Sequence, residues 1–558
     1  VLLYAFFTIF LIWPIVQVVA TGFISKDGGL TLSYVRLVFR DPLLVKGLAN
    51  AAMIGVAVTG VSLTIALPLA LLSVRYEFPG RGILAGLLLV PLVLPPFVGA
   101  LGMRLVLSRF GPLTQLLGGG GTLGIDWLGH YRIAGIILVE ALHLYPIMLL
   151  NIQAAMANID PAMEQAAANI GASRWTVFRR ITLPLIRPGL FAGCTLVLIW
   201  SFTELGTPLM FDFYAITPVQ VFKLITDVAD NPLPYALVVV TLVVSSLMYL
   251  VGKVVLGRGF DAATTKASVA ATTRRLTGWR AVAAMVPFLI VIGLAVLPHI
   301  AVVLTSLCAT GAWYKTLLPA KLTMDHFGQA LVDELAMSSI TNSLRYALLA
   351  TGLAMTVGLG AAIVIVRSKL PGREIIDALS MLPLAVPGLV LAFGYLAISI
   401  WFKQRLGDRT PAWMDVQQYP LVLLVIAYAA RRLPYVVRSA VAGLQQTPVD
   451  LELAASNLGA SRWTVLRRIT APLIMANLIA GGLLAFAFAM LEVSDSLILA
   501  QRADYYPITK AIYEIWQRLD DGLYIASALG VWAMVLLTLT ILSANAFLGK
   551  RLGTIFRV

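Results

Sequence analysis

The feature that most limits what this chain can become is the recurrence of apolar stretches long enough to cross a bilayer. A helix spanning the hydrocarbon core needs about 20 predominantly apolar residues. Runs of that kind occupy residues 1–23, 47–74, 82–105, 133–156, 189–210 and 235–256, then 281–307, 343–366, 375–401, 421–441, 473–500 and 524–548. Inside hydrocarbon every backbone N–H and C=O must be paired within the protein, which leaves only helices or a closed barrel. Barrel strands would show short segments of alternating polarity, whereas these runs are long and continuous. The sequence therefore predicts an all-α polytopic membrane protein of about twelve spans. Only 12% of the 558 residues are charged, half of the roughly 25% typical of soluble domains.

The net charge of +14 does not call for a polyanionic partner. If the first run enters from the cytoplasm, the cytoplasmic loops hold most of the Lys and Arg and few of the acids. That is the positive-inside bias of a membrane protein, and it predicts a lipid bilayer and no nucleic acid as the partner of the basic residues. Cys194 and Cys308 lie inside apolar runs of different halves, so neither a structural disulfide nor a cysteine metal site is expected. Residues 1–23 are too long for the apolar region of a signal peptide and read as a span. The start at Val1 without a methionine predicts native residues before it.

The chain is also written twice. EQAAANIGASRWTVFRRITLPLI, starting at Glu164, returns as ELAASNLGASRWTVLRRITAPLI, starting at Glu452, with 18 of 23 positions identical. Apolar helices can resemble one another by composition alone, but Glu, Asn, Gly, Ser, Arg, Trp and Pro held in register cannot. The match extends outward. Asn50 aligns with Asn342, RYEFPGR from Arg75 with RSKLPGR from Arg367, and Pro91, Pro95 and Gly102 with Pro383, Pro387 and Gly394. A first half at 1–256, a small, polar and basic cytoplasmic linker at 257–280 and a second half at 281–558 follow from this. Six spans per half put both halves the same way up, related by a twofold axis along the membrane normal. The offset falls from 292 at Pro91 to 288 at Pro146, an insertion in the first half that falls at the glycines 118–121.

Both copies of the repeated segment fall on the cytoplasmic side, between the fourth and fifth spans, in loops at about 157–187 and 445–475. Asp160 followed by Pro161 predicts an N-cap and first helical turn, and TPVD from Thr447 resembles a capping box. Short helices bearing Ala166, Ala167, Ala454 and Ala455 follow, ended by Gly171 and Gly459 at left-handed positions. A second short helix carries Trp175 with Arg179 and Arg180, or Trp463 with Arg467 and Arg468, and Pro184 and Pro472 mark the entry to the next span. Small residues on an exposed, capped helix make a rigid knob that suits a socket on another protein.

This pattern resembles the signature loop of permease subunits of binding-protein-dependent ABC importers: EQAAANIG…ITLP and ELAASNLG…ITAP stand where the family has E-A-A…G…I-x-L-P. Gln165 and Leu453 interrupt a strict E-A-A, and Ala471 replaces the usual Leu. The resemblance covers nearly the whole chain and implies a fused permease with the MetI-like fold in two tandem parallel six-helix repeats, in the bacterial cytoplasmic (inner) membrane. It implies that Glu164, Ala166, Ala167, Gly171, Arg174 and Pro184, with Glu452, Ala454, Ala455, Gly459, Arg462 and Pro472, couple to two copies of a cytoplasmic ABC ATPase. It also implies a periplasmic or lipid-anchored solute-binding protein that delivers the substrate. ELGTP from Glu204 and YYPITKAIY from Tyr505 resemble most the ferric-iron branch; thiamine, phosphonate and sugar-phosphate permeases are similar.

No G-x-x-x-x-G-K-[ST] phosphate loop occurs in the sequence, so ATP and Mg are expected on the partner ATPase and no cofactor on this chain. No catalytic residue or metal ligand set is recognisable either; His130, His143, His299 and His326 are scattered. Charges inside spans cost roughly 2.5–3.5 kcal/mol at a helix centre and are functional candidates. Those candidates are Glu204, with Pro208 beyond it, and Glu492 with Asp495. Symmetry would face Glu204 towards Glu492, beside a cation pathway or gate, or leave Glu492 in an ion pair with Arg431 or Arg432. Glu140 and His143 have no acidic or His counterpart in the second half. The prolines 91, 95, 96, 383 and 387 break the third span of each half and free carbonyls to line a cavity or simply kink the helix. A secondary transporter using Glu204, Glu492 and Asp495 as an ion-coupling site is the alternative reading, and it gives the twin loops no role.

Overall fold

Helix is what these apolar runs form, and proline decides where they bend. The computed structural model describes residues 2–25, 29–117, 127–228, 231–256 and 274–548; the glycines at 118–121 and residues 257–273 of the expected linker lie outside them. Among the described residues, nine helices are long and apolar enough to cross a membrane, or eleven if each of two bent pairs is one span. The pairs are Arg81–Leu92 with Pro96–Val106, bent by 89°, and Arg462–Leu473 with Met475–Met490, bent by 73°. The twelfth expected span is the 26-residue helix Leu421–Gln446, less apolar because it carries Arg431, Arg432 and Arg438.

The described chain packs as two compact units. One holds Val1–Val38, Val221–Val239 and Asp325–Val558, and the other Phe39–Gln220 and Val240–Met324. Packing therefore divides the chain differently from the sequence repeat. Helix Leu2–Gly22 packs with elements of the second half, and helix Trp279–Ser306 with elements of the first.

The same contact seats the exchanged helix in each unit. At Gly102, on helix Pro96–Val106, an added Cβ would stand 2.5 Å from the Pro298 carbonyl oxygen and 2.6 Å from Val302. At Gly394, the repeat partner of Gly102, it would stand 2.6 Å from Pro14. Absence of a side chain at both glycines lets a proline-bearing helix lie directly on the third span. Pro14 cannot donate to the carbonyl four residues before it, that of Phe10, and Tyr395 supplies the missing donor at 2.5 Å.

Polar side chains also fix the turn after each fifth span. Asn50 Nδ2 donates to the Ala215 carbonyl at 2.6 Å, and its repeat partner Asn342 donates to that of Asp504 at 2.8 Å. Because Gly394 is filled by Pro14 while nothing lies near a Cβ at Gly352, Gly394→Ala should cost about 1–3 kcal/mol of overpacking and Gly352→Ala nothing. Thermal unfolding of the two variants in detergent micelles checks this; equal midpoints would contradict the packing.

Candidate functional site

The first repeated loop is built by caps. Asp160 accepts from the Ala162 N–H at 2.9 Å and Pro161 opens helix Pro161–Asn169, none of whose residues is buried. Gly171 takes φ of +85°, and the Ala172 N–H closes back on the Ala167 carbonyl at 3.0 Å. That six-to-one closure satisfies carbonyls the helix end would otherwise leave open. Ser173 then accepts from the Thr176 N–H at 3.2 Å and starts helix Arg174–Val177. A π-helical turn, Phe178–Thr182, leads past Pro184 into the fifth span.

The second loop repeats this geometry from its glycine onward. Gly459 has φ of +84°, Ala460 closes on Ala455 at 3.0 Å, and Ser461 caps Arg462–Val465 through Thr464 at 3.2 Å. Its entry differs from the capping box expected at Thr447. That hydroxyl donates instead to the Gly443 carbonyl at 3.0 Å, closing the preceding helix, and helix Asp450–Asn457 begins at Val449 with no side-chain cap. The outer surface of both loops is apolar beside the glycine: Ile170 is 86% and Leu458 89% exposed, and Trp175 and Trp463 also stand in the open.

The glutamates of the loops face inward. Glu164 Oε1 takes the Arg75 guanidinium at 2.5 Å and the Thr182 hydroxyl at 2.5 Å, while Arg75 also donates to Thr182 at 2.8 Å. Glu452 Oε1 takes Arg367 Nε at 3.1 Å and the Thr470 hydroxyl at 3.2 Å. Arg75 and Arg367 end the second spans, helices Pro42–Arg75 and Glu334–Arg367. Each carboxylate thus holds the exposed helix, the end of the second span and the turn into the fifth. Ala167 and Ala455, three residues on, are half-buried on the same side, whereas Ala166, Ala454, Arg174 and Arg462 face outward.

The intramembrane acids differ between the units. Glu492 is held by Arg431 at 2.6 Å and by Arg432, and Asp495 lies 3.8 Å from Arg431. Glu492, Asp495 and Arg432 are buried and Arg431 is partly so, and two guanidinium groups face two carboxyl groups. Ionised groups survive burial only when paired in this way. At the matching positions of the other unit stand Glu204, with His143 and Leu144 where the arginines would be. Glu204 accepts from the Gly206 N–H at 3.1 Å, Pro208 lies buried in the following short helix, and Glu140 receives the Ser201 hydroxyl. The expected ion pair of Glu492 is therefore formed, and Glu204 and Glu492 belong to different units.

Two carbonyls of the first half's third span take side-chain donors. Pro95 leaves the Pro91 carbonyl without its helical donor, and His143 Nδ1 donates to it at 2.7 Å; the Tyr145 hydroxyl donates to Leu88 at 2.7 Å. Among the described residues, no group of three or more His, Cys, Asp or Glu side chains is placed to hold a metal ion.

Comparison with known proteins places this architecture. The model of the binding-protein-dependent transport system inner membrane component family matches residues 62–262 and again 354–553. The chain belongs to that family. The ferric transport system permease protein FbpB of Actinobacillus pleuropneumoniae is 27% identical over 552 residues, covering 97% of this chain and 76% of that protein. The molybdenum transport system permease protein ModB of Escherichia coli K12 is 34% identical over 169 residues, 29% of this chain and 71% of its own. A solved bacterial ABC transporter involved in import of the polysaccharide alginate matches with a TM-score of 0.38 and 19% identity, over 46% of this chain and 93% of that one.

In this permease, sequence reasoning left Arg75, Arg367, Thr182 and Thr470 without a role. Their signal was present: both arginines end the second run of their half, and both threonines lie within the repeated segment. The pairing across 89 residues in one loop and 85 in the other needed the fold. The arginines paired with Glu492 give a stability test. Glu492→Gln leaves two guanidinium groups short of a counter-charge and is expected to cost about 3–5 kcal/mol, with a much smaller loss for Glu204→Gln. Unfolding midpoints in lipid nanodiscs measure the difference; equal losses would contradict the charge balance.

Proposed function

We propose that this chain is the fused permease of an ABC importer in the bacterial inner membrane. Two copies of a separate cytoplasmic ATPase engage the two repeated loops, and an extracytoplasmic binding protein delivers the substrate. The observation that carries this reading is the twin loop. Two glycine-jointed knobs of near-identical sequence, each with a serine-capped second helix, expose an apolar tip and are tied inward by a glutamate. Two equal knobs on one chain suit two equal sockets.

In mechanism, closure of the ATPases around ATP draws the loops together. The loops, continuous with the fifth spans, rock the permease between inward- and outward-facing states. ATP and Mg bind the partner, which does the hydrolysis, and this chain supplies the path and the lever. Rigid caps matter because a loop that flexed under load would absorb the stroke before it reached the membrane.

Ferric iron is the proposed substrate. The extent of similarity supports it: the ferric permease aligns with 97% of the chain and the molybdenum permease with 29%. Selection would rest with the binding protein, so the permease itself needs only a path past the iron. An ion-coupled secondary transporter leaves both knobs unused, and its candidate Glu492 is already balanced by Arg431 and Arg432.

Reconstitution into vesicles with the cognate ATPase and separately supplied binding proteins tests the reading. Hydrolysis should rise when the ferric-loaded binding protein is added. A rise only with a binding protein carrying another solute would move the substrate, and uptake without any ATPase would overturn the mechanism. Gly171→Asp with Gly459→Asp, which strains the left-handed joints and adds charge to both tips, should abolish co-purification of the ATPase from a permease that still inserts and folds. Unchanged co-purification would contradict the docking role of the loops.

A further inference from the structure

We infer that Arg75 and Arg367 are positioning residues that latch each loop helix to the second span, so that force applied at the loop reaches the second and fifth spans together. This rests on the proposed docking of ATPases on the loops and deepens it.

The joint that needs a latch is visible in the backbone. Gly171 and Gly459, in the left-handed conformation and with nothing within 4 Å of an added Cβ, separate the exposed helix from the turn that enters the fifth span. Around such an open joint the exposed helix is held locally by one backbone closure and needs a longer-range tie to move with the spans. Besides the backbone closures at Ala172 and Ala460, side-chain hydrogen bonds from Thr182 to Glu164 and from Thr470 to Glu452 cross it. The arginines add the second span to the same carboxylate.

Geometry favours a rigid tie over an incidental surface pair. An isolated exposed ion pair contributes little, but here one carboxylate oxygen accepts two donors, one of them from a threonine buried in the protein. Charge-assisted bonds of this kind are the stronger class. The Arg367 Nη2 group also donates to the Thr447 carbonyl at 2.9 Å, where the fourth span ends. In the unit holding Phe39–Gln220 the chain just beyond Arg75 is held as well: Tyr76 and Glu77 pair as a short parallel strand with Arg274 and Arg275. The latch recurs in both loops although the flanking contacts differ, so the carboxylate tie is their common element.

The test uses the full complex of permease, ATPase and binding protein in proteoliposomes, with Arg75→Gln plus Arg367→Gln. Three quantities are read: ATPase bound per permease, hydrolysis stimulated by the loaded binding protein, and solute moved per ATP. The ATPase should stay bound, because neither arginine is on the outer face of the loop. Stimulated hydrolysis should fall roughly tenfold or more, the equivalent of one charge-assisted hydrogen bond, and solute moved per ATP should fall with it. The exchanged pairs Arg75→Glu with Glu164→Arg and Arg367→Glu with Glu452→Arg should restore coupling, since threonine can donate to one partner and accept from the other. Thr182→Val with Thr470→Val, close in shape, removes only the hydroxyl arm; it keeps the test open if the glutamine variant does not fold, and should also lower stimulation.

Wild-type stimulation and wild-type solute per ATP in the folded glutamine or valine variants would overturn the latch. So would loss of the bound ATPase from them, which would make the arginines docking residues. Failure of the docking reading is separable: it shows as ATPase still bound to the Gly171→Asp, Gly459→Asp permease.

Discussion

A carbonyl or a charge set free inside a bilayer has to find its partner in the protein, because no water is there to take it. Much of the internal detail of this permease follows from that constraint. Prolines bend its spans and free carbonyls, and at two of them a side chain of a packed neighbour supplies the donor: Tyr395 for Phe10 and His143 for Pro91. The charges obey the same rule. Glu492 is buried because two arginines, the buried Arg432 and the partly buried Arg431, pair with it. Pairing is thus the condition on which the apolar packing can include polar groups at all.

The loops apply that condition at the membrane's edge to a mechanical end. Their glutamates turn inward and bind arginine and threonine, which leaves the outer face to Ala166, Ala454, Ile170, Leu458 and the tryptophans, with Arg174 and Arg462 beside them. A carboxylate facing a partner would have to be desolvated on docking; one facing its own chain stiffens the knob instead. Small and apolar residues at the tip with the carboxylates turned inside is an arrangement fitted to a protein partner.

How far the sequence led depended on the range of each interaction. Asp160 with Pro161, Gly171, Gly459 and the proline breaks act within a turn or two of their own position, and the structure has them where local rules put them. Thr447 was misread because two local rules competed: its hydroxyl could open the next helix or close the last one, and only the path of the chain decides. The exchange of first helices, with Pro14 lying on Gly394 and Pro298 on Gly102, leaves no mark within either half. Its trace is a glycine and a proline repeated far apart. The Arg75 and Arg367 ties were hidden for the same reason, since residues at the ends of separate spans share no periodicity. Arg431 and Arg432 were visible as costly charges near Glu492, and cost was enough to suggest their pairing.

The central claim is that both loops seat on the ATPase through their apolar tips, and proximity tests it most directly. Cysteine placed at Ile170, and separately at Leu458, in the assembled complex is treated with a short thiol-to-amine crosslinker. The account predicts a permease–ATPase adduct from each position, with both tips shielded from a water-soluble thiol reagent while the ATPase is bound. Tips that label freely in the intact complex and give no adduct would contradict it.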